Sequence, residues 1–290
     1  MTGEAADLEF AAPGDPARDY CLWDYRPPAP AAGKLRSASL LWHAFRTAGA
    51  DPRLAAMSRT LRTGLGPFRT VWGVKRIGDA FSWEYYFYDY ARLARQVSVA
   101  RVLAILAPHA RSPLTDPSLR PYFMFSLDLD DALACGARAI DALNLYVGNP
   151  GSTVSSGIAY TMTADAMRLD NFYFFFDAAR ERQAICAKVA TSAHLDLPSL
   201  DLDEILWPSL ARCGTIVVAN KTLNDGVYFS RISIGQFIAF LERLDYPEAT
   251  RRFVTDNRAR LDHLLFDVGI DYAVIDGRIC VVKSAYYGIL

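Results

Sequence analysis

Short runs rich in β-branched and aromatic residues recur in pairs along this chain. The pairs are TVWGVKRI (70–77) with FSWEYYFYDY (81–90), YFMFSLDL (122–129) with ALNLYVGN (142–149), GIAYTMT (157–163) with NFYFFFD (171–177), GTIVVANK (214–221) with VYFSRIS (227–233), and DYAVID (271–276) with RICVVKSAYY (278–287). Gly78-Asp79, Asn224-Asp225-Gly226 and Asp276-Gly277 separate partners in three of them. These residue types accept the positive φ of a tight reversal, so the pairs read as antiparallel hairpins. Ten antiparallel strands with helices between hairpins predict an α+β fold: a closed ten-stranded barrel built from five hairpins, helices outside. A closed barrel leaves no strand edge unpaired and encloses a cavity, where function is to be sought.

Between the pairs the period changes from two to 3.6. SASLLWHAFRTAGADPRLAAMSRTLRTGL (37–65) predicts two helices broken at Asp51-Pro52. ARLARQVSVARVLAILAPHA places Leu93, Val97, Val99, Ala100 and Leu103 at helical spacing before Pro108. A short helix is expected near Asp130–Ala139, a clear one in AARERQAICAKVATSAH followed by a loop with Pro198 and Pro208, and two in 234–269 broken at Tyr246-Pro247. Residues 1–36 are interrupted by Pro13, Pro16, Pro27, Pro28 and Pro30, which predicts an extended N-terminal segment ahead of a single barrel domain, 37–290. Tyr20, Trp23 and Tyr25 give that segment the means to dock on the body.

Strand alternation says which side chains face inward. Glu84, Tyr86 and Tyr88 share one face of their strand and Trp83, Tyr85 and Phe87 the other. Asn144 and Tyr146 oppose Leu143, Leu145 and Val147, and Asn171 and Tyr173 oppose Phe172, Phe174 and Phe176. The polar-aromatic faces suit a lumen wet enough for hydroxyls and lined with π surface. Lys75, Lys221 and Lys283 stand on three different strands. A buried lysine needs an anion or carboxylate, and several of them can converge on one anion. A solvated strand end is the alternative for each, and a rim charge the alternative to a general base for Glu84.

Composition narrows the class. Hydrophobic residues are 52% and charged residues 22% of 290, which suits an ordered globule. A net charge of −1 offers no field for nucleic acid or an anionic membrane. The five cysteines are scattered, fitting buried thiols in a reducing compartment. The start MTGEAADLEF lacks the features of a secretory signal and no stretch reaches the length of a membrane span, so the expectation is a cytoplasmic protein. The four histidines have no partner spacing, and no glycine-rich nucleotide signature occurs.

The densest carboxylate run is Ser126-Leu127-Asp128-Leu129-Asp130-Asp131. It admits two readings: Asp128 and Asp130 as Mg²⁺ ligands, with a diphosphate or in the manner of a glycosyltransferase Asp-x-Asp, or acids capping the helix that follows. The spaced aspartate motif of the all-helical isoprenoid synthases is absent.

Taken as topology, residues 37–290 resemble the aromatic prenyltransferases of the ABBA, or PT-barrel, type. Lys283 with Ala285, Tyr286 and Tyr287 is similar to the last strand of the bacterial members, where a lysine binds diphosphate. Asn144-Leu145-Tyr146 is similar to a strand that also touches the diphosphate. The hairpin with Asn220, Lys221, Tyr228 and Ser230 looks like its counterpart there and in the cyanobactin-type peptide prenyltransferases. The resemblance implies prenyl transfer from an allylic diphosphate to an aromatic or peptide side-chain acceptor. Lys75, Asn144, Tyr146, Tyr173, Lys221, Tyr228, Lys283 and Tyr286 are the expected substrate contacts and Glu84 the expected base, with Mg²⁺ a possible cofactor. A non-catalytic barrel holding a hydrophobic small molecule is the main alternative, and a glycosyltransferase a weaker one.

Overall fold

In a computed structural model of the chain, described here for residues 8–91, 94–117, 120–149, 155–197 and 199–290, ten strands close into one antiparallel barrel. They are β1 (Val71–Ile77), β2 (Ala80–Tyr88), β3 (Tyr122–Leu129), β4 (Ala142–Gly148), β5 (Ser156–Thr163), β6 (Met167–Asp177), β7 (Thr215–Lys221), β8 (Asp225–Ile232), β9 (Phe266–Ile275) and β10 (Arg278–Ile289). Each pairs with its sequence neighbours, and β1 pairs with β10 to complete the ring. The connections within the five hairpins therefore share one end of the barrel, and the connections between successive hairpins share the other. These are called the hairpin end and the helix end.

The helices lie outside. They are α1 (Ala38–Ala48), α2 (Pro52–Leu65), α3 (Val99–Leu106), α4 (Asp131–Ala134), α5 (Arg182–Ala190), α6 (Ile234–Arg243), α7 (Glu248–Asp256) and α8 (Arg258–Leu261). The break between α1 and α2 falls at Asp51-Pro52 as expected, with the Asp51 carboxylate accepting the Arg53 N–H. Ser98 caps α3, so that helix starts later than its apolar spacing suggested, and Leu93 lies outside the described residues, as does Pro198. The outer faces of the strands pack on these helices: Phe45 of α1 lies 4.9 Å from Trp83, Ser58 of α2 is 2.5 Å from the Tyr85 hydroxyl, and Phe237 of α6 stacks at 4.5 Å on Phe266. Trp83, Tyr85 and Phe87 are all buried in this shell. A one-residue slip of β2 would turn them into the lumen and expose Glu84 to the helices, so this packing fixes the face.

Two expectations change. The β7–β8 turn is Thr222-Leu223-Asn224, and Asp225 and Gly226 belong to β8. The Asp225 carboxylate accepts from Asn220 Nδ2 at 3.0 Å and from the Lys221 N–H at 3.2 Å, which draws it into the ladder. Strand β9 begins at Phe266 inside the stretch read as helical, because Phe266, Val268, Ile270 and Tyr272 alternate with Asp267, Gly269 and Asp271. The other two tight turns are as read, and Asp276 and Gly277 both take positive φ (50° and 72°), as a type I′ hairpin requires.

Residues 8–36 form neither a helix nor a regular strand. Single bridges, Phe10 with Leu35 and Arg18 with Asp24, fold them into a strap. Tyr20, Cys21 and Trp23 of this strap reach the lumen, and the Tyr25 hydroxyl accepts the Leu265 N–H at 3.0 Å. Among the described residues no helix is long and apolar enough to cross a membrane.

Candidate functional site in the barrel lumen

The lumen holds a cavity of about 400 Å³ that runs from the lysines to the strap. Its wall is layered. Lys75, Asn144, Asn171, Lys221 and Lys283 line it toward the hairpin end. Tyr86, Tyr146, Tyr173, Tyr228 and Tyr287 form a belt across the middle, and Tyr88, Met124, Phe175 and Val217 continue toward the helix end, where Cys21 and Trp23 of the strap join the lining. Glycines make room for the belt. A Cβ on Gly269 would sit 2.2 Å from the Tyr228 ring, and one on Gly73 2.8 Å from the Tyr287 ring, so both tyrosines lie flat against a neighbouring strand. Burial raises the pKa of every belt tyrosine, which leaves each hydroxyl protonated and able to donate.

Two ion clusters form the polar layer. In one, Lys221 and Lys283 each lie 2.6 Å from an oxygen of the Asp271 carboxylate, and Lys221 also donates to the Tyr228 hydroxyl at 3.0 Å. Two ammonium groups on one carboxylate leave a formal excess of positive charge. Burial pushes Lys221 down to about 8, with Lys283 adding to the effect against the pull of Asp271, while the two lysines outweigh burial to hold Asp271 below its ordinary range. In the other cluster Lys75 lies 3.1 Å from Glu84 and 2.6 Å from Asp128, an excess of negative charge. Glu84 accepts from Ser126 at 2.5 Å and from Tyr86 at 2.7 Å. Its burial would raise its pKa, but Lys75 and these hydroxyls bring it down to about 2. The polar layer is thus a dipole across the barrel, positive on β7 and β10, negative on β2 and β3.

Of the residues singled out from sequence, Lys75, Glu84, Asn144, Tyr146, Tyr173, Lys221, Tyr228 and Lys283 all line this cavity. Tyr286 does not. It faces the helices, 5.5 Å from Phe237 and 5.8 Å from Tyr246, because Lys283, Ala285 and Tyr287 take the inward positions of β10, and Tyr287 lines the lumen instead. Asp128 and Asp130 are not assembled as metal ligands: Asp128 holds Lys75, while Asp130 caps α4 through the Leu133 N–H and pairs with Arg138. Among the described residues no group of three or more His, Cys, Asp or Glu could hold a metal ion.

Sequence reasoning missed Asp271 as a site residue, although its signal was present: an acid on the same face of β9 as Gly269, the lumenal face. It also missed a second buried carboxylate set at the helix end. Asp267 accepts from Ser230 at 2.6 Å, from the Arg231 N–H at 3.1 Å and from the Tyr20 N–H at 2.9 Å. Asp19 of the strap pairs with Arg231 at 2.8 Å. Burial and the neighbouring Asp19 push Asp267 up to about 7.

Compared with known protein families and with curated proteins, the chain matches no family model and no individual protein.

Proposed function

We propose that the protein is a prenyltransferase that moves a prenyl group from an allylic diphosphate to an aromatic or peptide side-chain acceptor. The observation that carries this reading is the convergence of Lys221 and Lys283 on one carboxylate directly beneath a belt of lumenal tyrosines. Transfer breaks the bond between the allylic carbon and the diphosphate oxygen, and the electron pair leaves with the diphosphate. Lys221, Lys283 and the Tyr228 hydroxyl stabilise that leaving anion by charge-assisted hydrogen bonds. The allylic cation left behind faces tyrosine rings and the negative side of the dipole, which favour it by cation–π and Coulomb attraction and keep water away. The acceptor supplies the electron pair of the new bond, and for a ring carbon the resulting arenium ion sheds its proton. Glu84, held near 2, is a weak base. An arenium ion is a strong enough acid for a weak, permanently ionised carboxylate to accept its proton.

The pairing of Lys75, Lys221 and Lys283 with carboxylates favours a second reading, a non-catalytic barrel, because charges so matched require no anionic ligand. Lys283→Ala and Lys221→Ala separate the two. Each loses a hydrogen bond to a charged group, worth roughly 1.5–3 kcal/mol, so prenyl-diphosphate affinity and turnover fall about tenfold to a hundredfold with little change in the thermal melt. Wild-type protein that binds no prenyl diphosphate, or variants that bind it as wild type does, would leave the non-catalytic barrel as the better account.

A further inference from the structure

Beyond the transfer itself, the strap has a task in choosing the donor. We infer that Cys21 and Trp23 form the end wall of the donor's apolar subsite and limit it to a short tail of one isoprenoid unit. The inference rests on the transferase reading for the donor's orientation, anion on Lys221 and Lys283 and tail toward the helix end. The layering of the lumen imposes that orientation on any amphiphile, since the cations and the apolar surface occupy opposite ends of one cavity.

The strap is a built part of that cavity. Cys21 is buried in a lumenal apolar cluster with Val71, Tyr88, Met124 and Ile289, apart from the core between barrel and helices. The Tyr90 hydroxyl donates to the Cys21 carbonyl at 2.9 Å, which fixes its height in the lumen. The anchor on the other side is the Asp19–Arg231 pair with the Tyr20 N–H on Asp267. Two anchoring positions take backbone conformations that non-glycine residues rarely adopt, Leu22 with φ 60° and Arg231 with φ 64°. Such strain persists where the surroundings over-determine it. The span is short. Asp271, which marks the anion subsite, and Asp267, which holds the strap, are four residues apart on β9, roughly 13 Å at the rise of a strand. A diphosphate head takes a large share of that length. The cavity volume, at the low end of the usual ~300–1,000 Å³ for small-molecule pockets, leaves room for an acceptor only beside a short tail.

The test is a binding series of n-alkyl diphosphates from methyl to decyl, with wild type, Cys21→Gly, Trp23→Ala and the space-filling Cys21→Leu. Affinity should rise roughly fourfold per methylene until the chain meets the wall, then stop rising. The two truncations should move that break to longer chains, and Cys21→Leu to shorter ones, with geranyl gaining on dimethylallyl diphosphate in turnover by the truncated forms. Trp23 is half-exposed, so its truncation should not disturb folding. A break that stays put in all three variants overturns the inference, and does so alone if wild type turns over a prenyl diphosphate. A break that moves in a protein without transferase activity leaves the strap as the wall and removes the reaction. No binding of any alkyl diphosphate removes both.

Discussion

The two ends of this barrel bury carboxylates in opposite ways. Toward the hairpin end, burial is outweighed by Lys75 and two hydroxyls at Glu84 and by two lysines at Asp271, and both carboxylates are held below their ordinary pKa. At the helix end, the Arg231 guanidinium pairs with Asp19 while Asp267 meets the Arg231 backbone N–H, and burial raises both. Similar depth thus gives opposite proton affinities, and the sign follows the neighbours: Lys75 with two hydroxyls at Glu84 and two lysines at Asp271 outweigh burial, whereas the like charge of Asp19 adds to burial at Asp267. The first arrangement keeps fixed charges of both signs in the lumen. The second suits a fastening whose hold depends on protonation.

Removing the shared carboxylate should break the comparison most severely. Asp271→Ala leaves Lys221 and Lys283 buried against each other, and loss of one member of a buried ion pair typically costs roughly 3–5 kcal/mol. A large fall in the denaturation midpoint is expected, against little change for Lys221→Ala, which leaves Asp271 paired with Lys283. An unshifted midpoint for Asp271→Ala would mean that the lysines find water.

A smaller effect contrasts the two lumenal clusters. If the positive side of the dipole holds the anion, Lys283→Ala should weaken prenyl-diphosphate binding about tenfold or more, whereas Lys75→Ala, whose cation already serves Glu84 and Asp128, should weaken it less. Calorimetric titration of both variants checks this. The reverse order would relocate the head group to β1 and β2.

The helix end should show its own pH dependence. Asp267 binds protons more tightly folded, at about 7, than in an unfolded chain near 3.8. Its contribution to stability is therefore complete below about pH 4 and is lost as pH rises through about 7. The titratable and charged groups around it are Asp19, Arg231, Tyr20, Cys21, Tyr25 and Cys213. Amide hydrogen exchange of the strap, corrected for intrinsic rates, should quicken across that window in wild type, while Asp267→Asn should flatten the dependence. Glu84 and Asp271 act with the opposite sign, their stabilisation being lost only as pH falls through their depressed values. The smallest effect is expected in the outer shell. Tyr85→Phe removes one neutral hydrogen bond to Ser58 and should lower stability by about 1 kcal/mol, with ligand affinity unchanged.

The barrel and most of its lining were legible because a period of two has only two outcomes per strand. Once Trp83, Tyr85 and Phe87 are assigned to the helices, Glu84, Tyr86 and Tyr88 have nowhere to point but inward. Legibility failed where another signal competed with parity. On β10 a motif likeness favoured Tyr286, although parity with Lys283 puts Tyr287 inside. On β9 the apolar spacing of the preceding helices ran on into Phe266–Gly269 and hid Asp267. Docking of the strap by Tyr20, Trp23 and Tyr25 was legible, but its entry into the lumen was not: its chain has no periodicity, and its place is set by Asp19, Arg231 and Asp267, which are brought together only by the finished fold.

Closure of the ring has a consequence in time. The seam joins the first strand to the last, and the Ser37 hydroxyl that donates to the Ile289 carbonyl and accepts its N–H bridges 252 positions. Contacts so distant in sequence form late and slowly. During synthesis every strand before β10 must wait beside an open gap, its lumenal tyrosines and lysines without an enclosure to share. The lumenal cavity is absent from the nascent protein until β10 leaves the ribosome and pairs with β1.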